Sequence, residues 1–303
     1  MATMDHGQTA AVDFAADRAI VQRALDVFCA RWMRDLSPLT AEAIRYALLG
    51  EGKRLRALLL LESYRACGGT GDAAELAASV EVVHAYSLVH DDLPCMDDDD
   101  VRRGRPTVHR VYGVPVATAA GLAMVPLAAR SAWHAAQGLG LSQSECGAIV
   151  AELMAASGGG GMIGGQLLDL EAEGVHVTVD ALERVHRLKT GALIMASVTL
   201  GARAARASVA QREALARYGA AIGLAFQIAD DVLDITATTD QLGKTAGRDL
   251  DLNKSTYPAL LGVEGAVAKA EALVEDACTT LAREQLLTPA LEQVARFIVA
   301  RRS

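Results

Sequence analysis

Aromatic side chains are scarce in this chain: phenylalanine, tryptophan and tyrosine make up 4% of its 303 residues. Strands draw heavily on aromatic and β-branched residues, so a sheet-built core is disfavoured, and no alternating apolar pattern of useful length occurs. The five cysteines (Cys29, Cys67, Cys95, Cys146, Cys278) are odd in number and form no Cys-x-x-Cys pair. That argues against a disulfide framework or a zinc site and fits a reducing cytoplasm. There is no positive excess either: the net charge is −8, which speaks against nucleic acid as a partner. The one long uncharged run, residues 111–129, is broken by Gly113, Pro115, Gly121 and Pro126. It is expected to be a buried central helix, without stable membrane insertion. The opening Met1-Ala2-Thr3-Met4-Asp5-His6 lacks a basic-then-apolar leader pattern, and residues 1–12 are expected to be a disordered tail.

Helical periodicity fills the rest. Residues 16–36 place Ile20, Ala24, Val27, Phe28 and Trp32 near one face. Thr40 is a candidate N-cap for a helix to Leu49, and further helices are expected over 55–66, 72–92, 142–157, 179–205 and 211–235. Two more are expected between about Val263 and Arg301, with a break near Thr288-Pro289. Linkers are short and no composition shift marks a boundary, so residues 13–303 are expected to form a single large all-α domain. The glycine-rich stretch 158–165 reads as a close packing point or kink. Gly243-Lys244-Thr245 imitates the end of a phosphate-binding loop, but Thr238 stands where that loop needs glycine and no strand precedes it.

Against this apolar background stand two acidic segments, Asp91-Asp92-Leu93-Pro94-Cys95-Met96-Asp97 and Asp230-Asp231-Val232-Leu233-Asp234. Carboxylates seldom enter such surroundings unpaired, and two of them about 4 Å apart repel by roughly 4 kcal/mol at an effective dielectric of about 20. Several meeting in one cavity require polyvalent cations, and hard oxygen donors suit Mg²⁺ bridging to substrate phosphates. Asp230 and Asp234 stack on one helix face, whereas Asp231 points elsewhere. Pro94 stops the first helix, and a bulge there would return Asp97 to Asp91. No glycine and glutamate follow at the positions an EF-hand loop needs.

A diphosphate site also needs basic groups. Lys53 and Arg56, three apart at a helix start, can point the same way. His84 lies two helical turns before Asp91, and Arg102-Arg103-Gly104-Arg105 follows the first acidic segment. Lys189-Thr190-Gly191 interrupts an apolar helix, and Lys244 follows the second acidic segment.

These motifs resemble the trans-prenyl diphosphate synthases, most closely the bacterial farnesyl type. The resemblance is carried by Gly52-Lys53-Arg54-Leu55-Arg56, by His84 through Pro94, by Gly164-Gly165-Gln166 and by Lys189-Thr190-Gly191-Ala192-Leu193. It continues through residues 226–234, Gly243-Lys244-Thr245 and Lys254-Ser255-Thr256-Tyr257-Pro258. It implies an all-helical isoprenoid synthase type I fold around a deep central cavity, usually homodimeric. It implies three Mg²⁺ ions, with Mn²⁺ as the alternative, bound by Asp91, Asp97 and Asp230 and supported by Asp92 and Asp234. Arg102, Lys189 and Lys244 would hold the allylic diphosphate, with Thr190 and Gln227 nearby. Lys53, Arg56, His84 and Arg103 would hold isopentenyl diphosphate. Ala57 stands where the family usually has proline, and Leu122 where it usually has an aspartate.

The implied reaction joins isopentenyl diphosphate to dimethylallyl and geranyl diphosphate to give farnesyl diphosphate. Tyr86 and Ser87, about one turn below Asp91, would set the chain length. Geranylgeranyl or geranyl diphosphate synthesis is the alternative within the family. A class I terpene cyclase would lack the second basic pocket, and a non-catalytic synthase subunit would have lost metal-site aspartates.

Overall fold

The computed structural model describes residues 13–236 and 255–300. Its helices are α1 (Ala15–Trp32), α2 (Pro38–Leu48), α3 (Leu55–Ala66), α4 (Ala74–Asp91), α5 (Val108–Tyr112), α6 (Val114–Gly138), α7 (Gln143–Ser157) and α8 (Met162–Glu171). After α9 (Val179–His186) comes a π turn, Arg187–Gly191, then α10 (Ala192–Ala204) and α11 (Val209–Thr236). The last two are α12 (Tyr257–Arg283) and α13 (Pro289–Ala300). A two-residue hairpin, β1 (Val101–Arg102) against β2 (Arg105–Pro106), follows α4.

Helix α4 is mostly apolar, and every residue from Leu76 to Val83, Glu81 included, is buried, as befits a central helix. It packs on α1, α3 and α6, while α10 lies between α3, α7 and α11. One apolar cluster joins α1 to α4 with α6 and α7, and a second joins α10 to α13. Each fully buried leucine or valine contributes about 1.5–3 kcal/mol. Where α10 crosses α3 the backbones touch: a Cβ on Gly201 would stand 2.4 Å from the Leu60 carbonyl oxygen.

Several expectations are corrected. The N-cap of α2 is Ser37, whose Oγ accepts the Thr40 N–H at 3.2 Å, with Pro38 in the first turn. Helix α1 ends at Trp32, and its buried stripe runs through Val21, Leu25 and Phe28, leaving Val27 exposed. The stretch 179–205 is not one α-helix, because the π turn widens it at 187–191. Helix α12 begins at Tyr257 and is kinked at Gly262.

The uncharged run falls largely in α6, which buries Ala117, Ala120, Gly121 and Met124 against its neighbours. By length and composition α6 and the stretch Gln143–Glu171 could each cross a membrane, but 39% of the most apolar window of each is buried within the fold. Pro126 removes a helical bond to the Leu122 carbonyl, and Leu122 is 63% exposed, so the loss falls at the solvent side.

Gly201→Ala should lower stability by about 1–3 kcal/mol, because the added methyl meets backbone rather than a movable side chain. Gly138→Ala, with nothing within 4 Å of the new Cβ, is the control and should be neutral or stabilising. Urea unfolding of both variants checks this, and equal midpoints would contradict the α3–α10 contact.

Candidate active site

The first acidic segment folds back on itself. After α4 ends at Asp91, the Asp97 N–H donates to the Asp91 carbonyl at 2.8 Å and the Asp99 N–H to the Asp92 carbonyl at 3.2 Å. Asp98, between them, takes a left-handed conformation with φ 51°. The reversal brings the two carboxylates of Asp91 and Asp97 within mutual influence. Burial, above all, raises the Asp91 carboxyl from 3.8 to about 7; Asp97 and Asp92 add to the rise, and Lys189 and Arg102 oppose it. Asp92, 3% exposed, accepts Arg102 Nε at 2.6 Å.

Arg102 is delivered by the hairpin, whose turn residues Arg103 and Gly104 both have positive φ (54° and 72°), as a tight two-residue hairpin turn requires. Arg103 Nη1 then donates to the Glu51 carbonyl at 3.0 Å, which joins the hairpin to the segment before α3. That segment is locked by Arg54. Its buried guanidinium donates to the carbonyls of Leu48 (2.7 Å) and Gly50 (2.8 Å) and lies 3.8 Å from Glu81. Glu81 also takes the Ala57 N–H at 3.1 Å, so the flanking Lys53 and Arg56 spring from a fixed backbone.

Arg56 is the least satisfied of these cations. Its Nε is buried without a hydrogen-bond partner, and burial lowers the guanidinium to about 10, with Arg103 adding to the drop and Glu81 and Asp230 opposing it. His84 is driven well below the usual histidine range by burial, then by Arg56, Arg103, Arg102 and Arg54. These groups make an electropositive cluster. Lys53 is exposed, its ammonium 5.6 Å from the Phe297 ring.

The π turn carries Lys189, which pairs with Asp169 of α8 at 2.6 Å, and Thr190, which donates to Gln227 Oε1 at 2.8 Å. Helix α8 comes this close because Gly165 has no side chain: a Cβ there would sit 2.1 Å from the Lys189 backbone nitrogen. The glycine-rich stretch is thus a packing point. From α11, Asp230 makes its field felt at Arg56, and Asp234 is buried one turn on. Asp231 turns away and accepts the Tyr257 N–H at 3.0 Å. Lys244, with Gly243, Thr245 and Lys254, lies outside the described residues.

Tyr86 is buried, its hydroxyl donating to the Ser157 carbonyl at 3.4 Å across to α7. Burial, then Asp91, pushes its phenol up to about 12. Ser87 donates to the His84 carbonyl at 2.9 Å. Two further residues belong here. Gln166 Nε2 donates to Asp97 Oδ1 at 3.4 Å, and Asp169 holds Lys189. Asp169 left a trace in the sequence as the one charged residue between Met162 and Leu170.

Among the described residues no three histidine, cysteine, aspartate or glutamate side chains form a ready-made metal cage. The donors that do converge are carboxylate oxygens whose shared negative charge a hard cation would relieve. Mg²⁺ commonly takes only one or two carboxylates, filling its shell with water and substrate phosphate, so the donor set fits an ion that arrives with a diphosphate.

Asp91 makes the metal-free protein sensitive to pH. Its folded pKa lies above its unfolded value, so its stabilising contribution is complete below about pH 4 and is lost as pH rises through about 7. In chelator, Asp91→Asn should therefore gain on the wild type between pH 5 and 8, by on the order of 2–4 kcal/mol. Urea unfolding at both pH values checks this; a gap that does not change with pH would contradict the burial of this charge.

A model of the polyprenyl synthetase family matches residues 37–293. Farnesyl diphosphate synthase of Escherichia coli (strain K12) is 48% identical over 265 residues, 86% of this chain and 88% of that protein. Geranylgeranyl pyrophosphate synthase 9, chloroplastic, of Arabidopsis thaliana is 43% identical over 257 residues, 83% of this chain and 70% of that protein. The apo crystal structure of an FPP/GFPP synthase from Zymomonas mobilis superposes with a TM-score of 0.79 at 34% identity, covering 93% of this chain and 96% of that one. A geranyltransferase from Legionella pneumophila gives 0.80 at 30% identity, covering 94% and 97%. The helical architecture is that of these synthases, and the chain belongs to the polyprenyl synthetase family.

Proposed function

We propose that the chain condenses isopentenyl diphosphate with dimethylallyl and then geranyl diphosphate, releasing farnesyl diphosphate. The observation that carries this is Arg56, whose Nε is buried without a hydrogen-bond partner, within the electrostatic reach of His84, Arg103 and Asp230. A buried guanidinium with an unmet donor calls for an anion, and a second diphosphate pocket is what a chain-elongating enzyme needs and a cyclase does not. The farnesyl product is favoured by the 48% identity to the Escherichia coli enzyme over the 43% identity to the geranylgeranyl enzymes, and by a bulky Tyr86 under the site.

Asp91, Asp97 and Asp230, supported by Asp92 and Asp234, would hold three Mg²⁺, whose charge stabilises the departing diphosphate. Arg102, Lys189 and Lys244 add positive charge to the same leaving group, and Gln227, oriented by the Thr190 hydroxyl on its Oε1, has its amide N–H groups left to donate as the allylic C1–O bond breaks. Arg56, His84, Arg103 and Lys53 grip isopentenyl diphosphate so that its double bond faces C1. The apolar helices keep water from the cation while the carbon–carbon bond forms. A proton is then lost to the released diphosphate, giving the longer trans-allylic product. We further propose that residues 13–303 work as one unit, in the cytoplasm, as a homodimer whose contact includes the exposed Val111, Val114 and Leu122.

Two outcomes follow. Arg56→Ala should raise KM for isopentenyl diphosphate about tenfold or more with little change for geranyl diphosphate, and Lys189→Ala should do the reverse. Radiolabelled isopentenyl incorporation measures both, and equal effects on both substrates would remove the two-pocket assignment. Tyr86→Ala should lengthen the product to about twenty carbons or more, since the tail grows away from the pinned diphosphate toward α7. Chromatography of the dephosphorylated products decides; an unchanged spectrum places the floor elsewhere.

A further inference from the structure

Helix α11 presents one residue per turn to the segment that carries Lys189. Gly219, Gly223, Gln227 and Asp231 are spaced four apart and so share a face. At the first two the backbones touch: a Cβ on Gly219 would lie 2.7 Å from Met195 Cα, and one on Gly223 2.9 Å from Gly191 Cα. At the next two, side chains meet, the first pair through a hydrogen bond and the second at ion-pair distance, with His186 Nε2 buried and without a hydrogen-bond partner. Thr190 Oγ1 meets Gln227 Oε1 at 2.8 Å, and His186 Nε2 lies 3.5 Å from Asp231 Oδ2. His186 and Thr190 are themselves four apart, one on each side of Lys189, across the π turn.

We propose that His186 is a positioning residue: with Asp231 it forms the outer rung of a polar ladder that sets Lys189 and Asp230 in register. This rests on the reading of Lys189 and Asp230 as groups that handle the allylic diphosphate. Each rung has one of them as its immediate neighbour, Lys189 before Thr190 and Asp230 before Asp231. The π turn is wider than an α turn, and such turns recur at functional sites because they re-aim a side chain. Here Thr190 and His186 meet α11 while Lys189 reaches Asp169 on α8.

The outer rung is well buried, with His186 8% and Asp231 6% exposed. A third segment closes over it. Tyr257, the first residue of α12, donates its N–H to Asp231 and stacks on the imidazole at 5.7 Å with 22° between the planes. If His186 only filled space, any ring of that size would serve. A buried carboxylate needs polar partners on every open side, and a displacement of about 1 Å in a phosphate-binding lysine can cost up to about 100-fold in rate.

His186→Phe keeps the ring and its stacking on Tyr257 but removes the nitrogen, whereas His186→Gln restores a polar atom near Nε2. The phenylalanine variant should remain folded, with a urea midpoint moderately below the wild type, yet lose about tenfold in kcat/KM for geranyl diphosphate, with KM for isopentenyl diphosphate within about twofold. His186→Gln should recover most of the loss, and His186→Phe combined with Asp231→Asn should lose less than the two single effects together. Wild-type kinetics in His186→Phe, an equal loss for both substrates, or strict additivity with Asp231→Asn would overturn the proposal. Should His186→Phe not fold, His186→Asn replaces it: the shorter amide cannot span the gap, and activity equal to that of the glutamine variant would overturn it as well. Lys189→Ala, assayed alongside, separates the two ideas, because an unaltered response to geranyl diphosphate there would unseat the proposed role of Lys189 and not the ladder alone.

Discussion

An ionised carboxylate at Asp91 is untenable without positive charge beside it, and much of the architecture delivers that charge. Burial and two neighbouring acids lift this group to about 7, and Lys189 and Arg102 pull against them. Each of these cations reaches the site from a different piece of backbone. Arg102 stands on a hairpin held to the α3 entry by Arg103, and Lys189 stands on a π turn clasped between α8 and α11. The site is therefore a meeting of six chain segments (the end of α4, the hairpin, the α3 entry, the π turn, α8 and α11), and its geometry depends on helices approaching closely enough for polar groups to touch.

Small residues make that approach attainable. Gly165 lets α8 reach the Lys189 backbone, and Gly219 and Gly223 let α11 lie against α10 and the π turn. None of these positions bears a functional group, yet each governs the distance between two that do. A methyl group at any of them would meet main-chain atoms, which cannot swing aside as a side chain can.

The sequence made the acidic segments and most helix spans legible, for identifiable reasons. Gly52 and Gly68 punctuate α3, Ser142 and Glu145 build a capping box for α7, and Pro94 forces the reversal that returns Asp97 to Asp91. Pro38 was a readable sign that Ser37 rather than Thr40 caps α2. Other features leave no local trace. Two-residue strands are too short to alternate, so the hairpin was invisible. A five-residue π turn shifts the side-chain period over too short a span to stand out from the helix on either side, so residues 187–191 read as α-helix. Pairs such as Lys189–Asp169 and His186–Asp231 join residues 20 and 45 positions apart, and only the packing of helices brings them together.

The charges on the two sides of the site are arranged differently, and the difference bears on where metal is needed. Around the first acidic segment each described cation already has an acid: Lys189 has Asp169, and Arg102 has Asp92 and Asp99. With Asp91 and Asp97 also present, a diphosphate held there as proposed would meet net negative charge and need cations brought with it. On the other side the positive field is in surplus. His84 feels four arginines, and Arg56 keeps an unmet buried donor. A diphosphate bound there as proposed would be held by side chains alone. On this reading a metal requirement confined to one substrate is a consequence of how counter-charges are distributed. Under the proposed function the same distribution would confine metal-assisted ionisation to the allylic diphosphate, while the isopentenyl diphosphate, whose C–O bond is retained in the product, would be held by side chains.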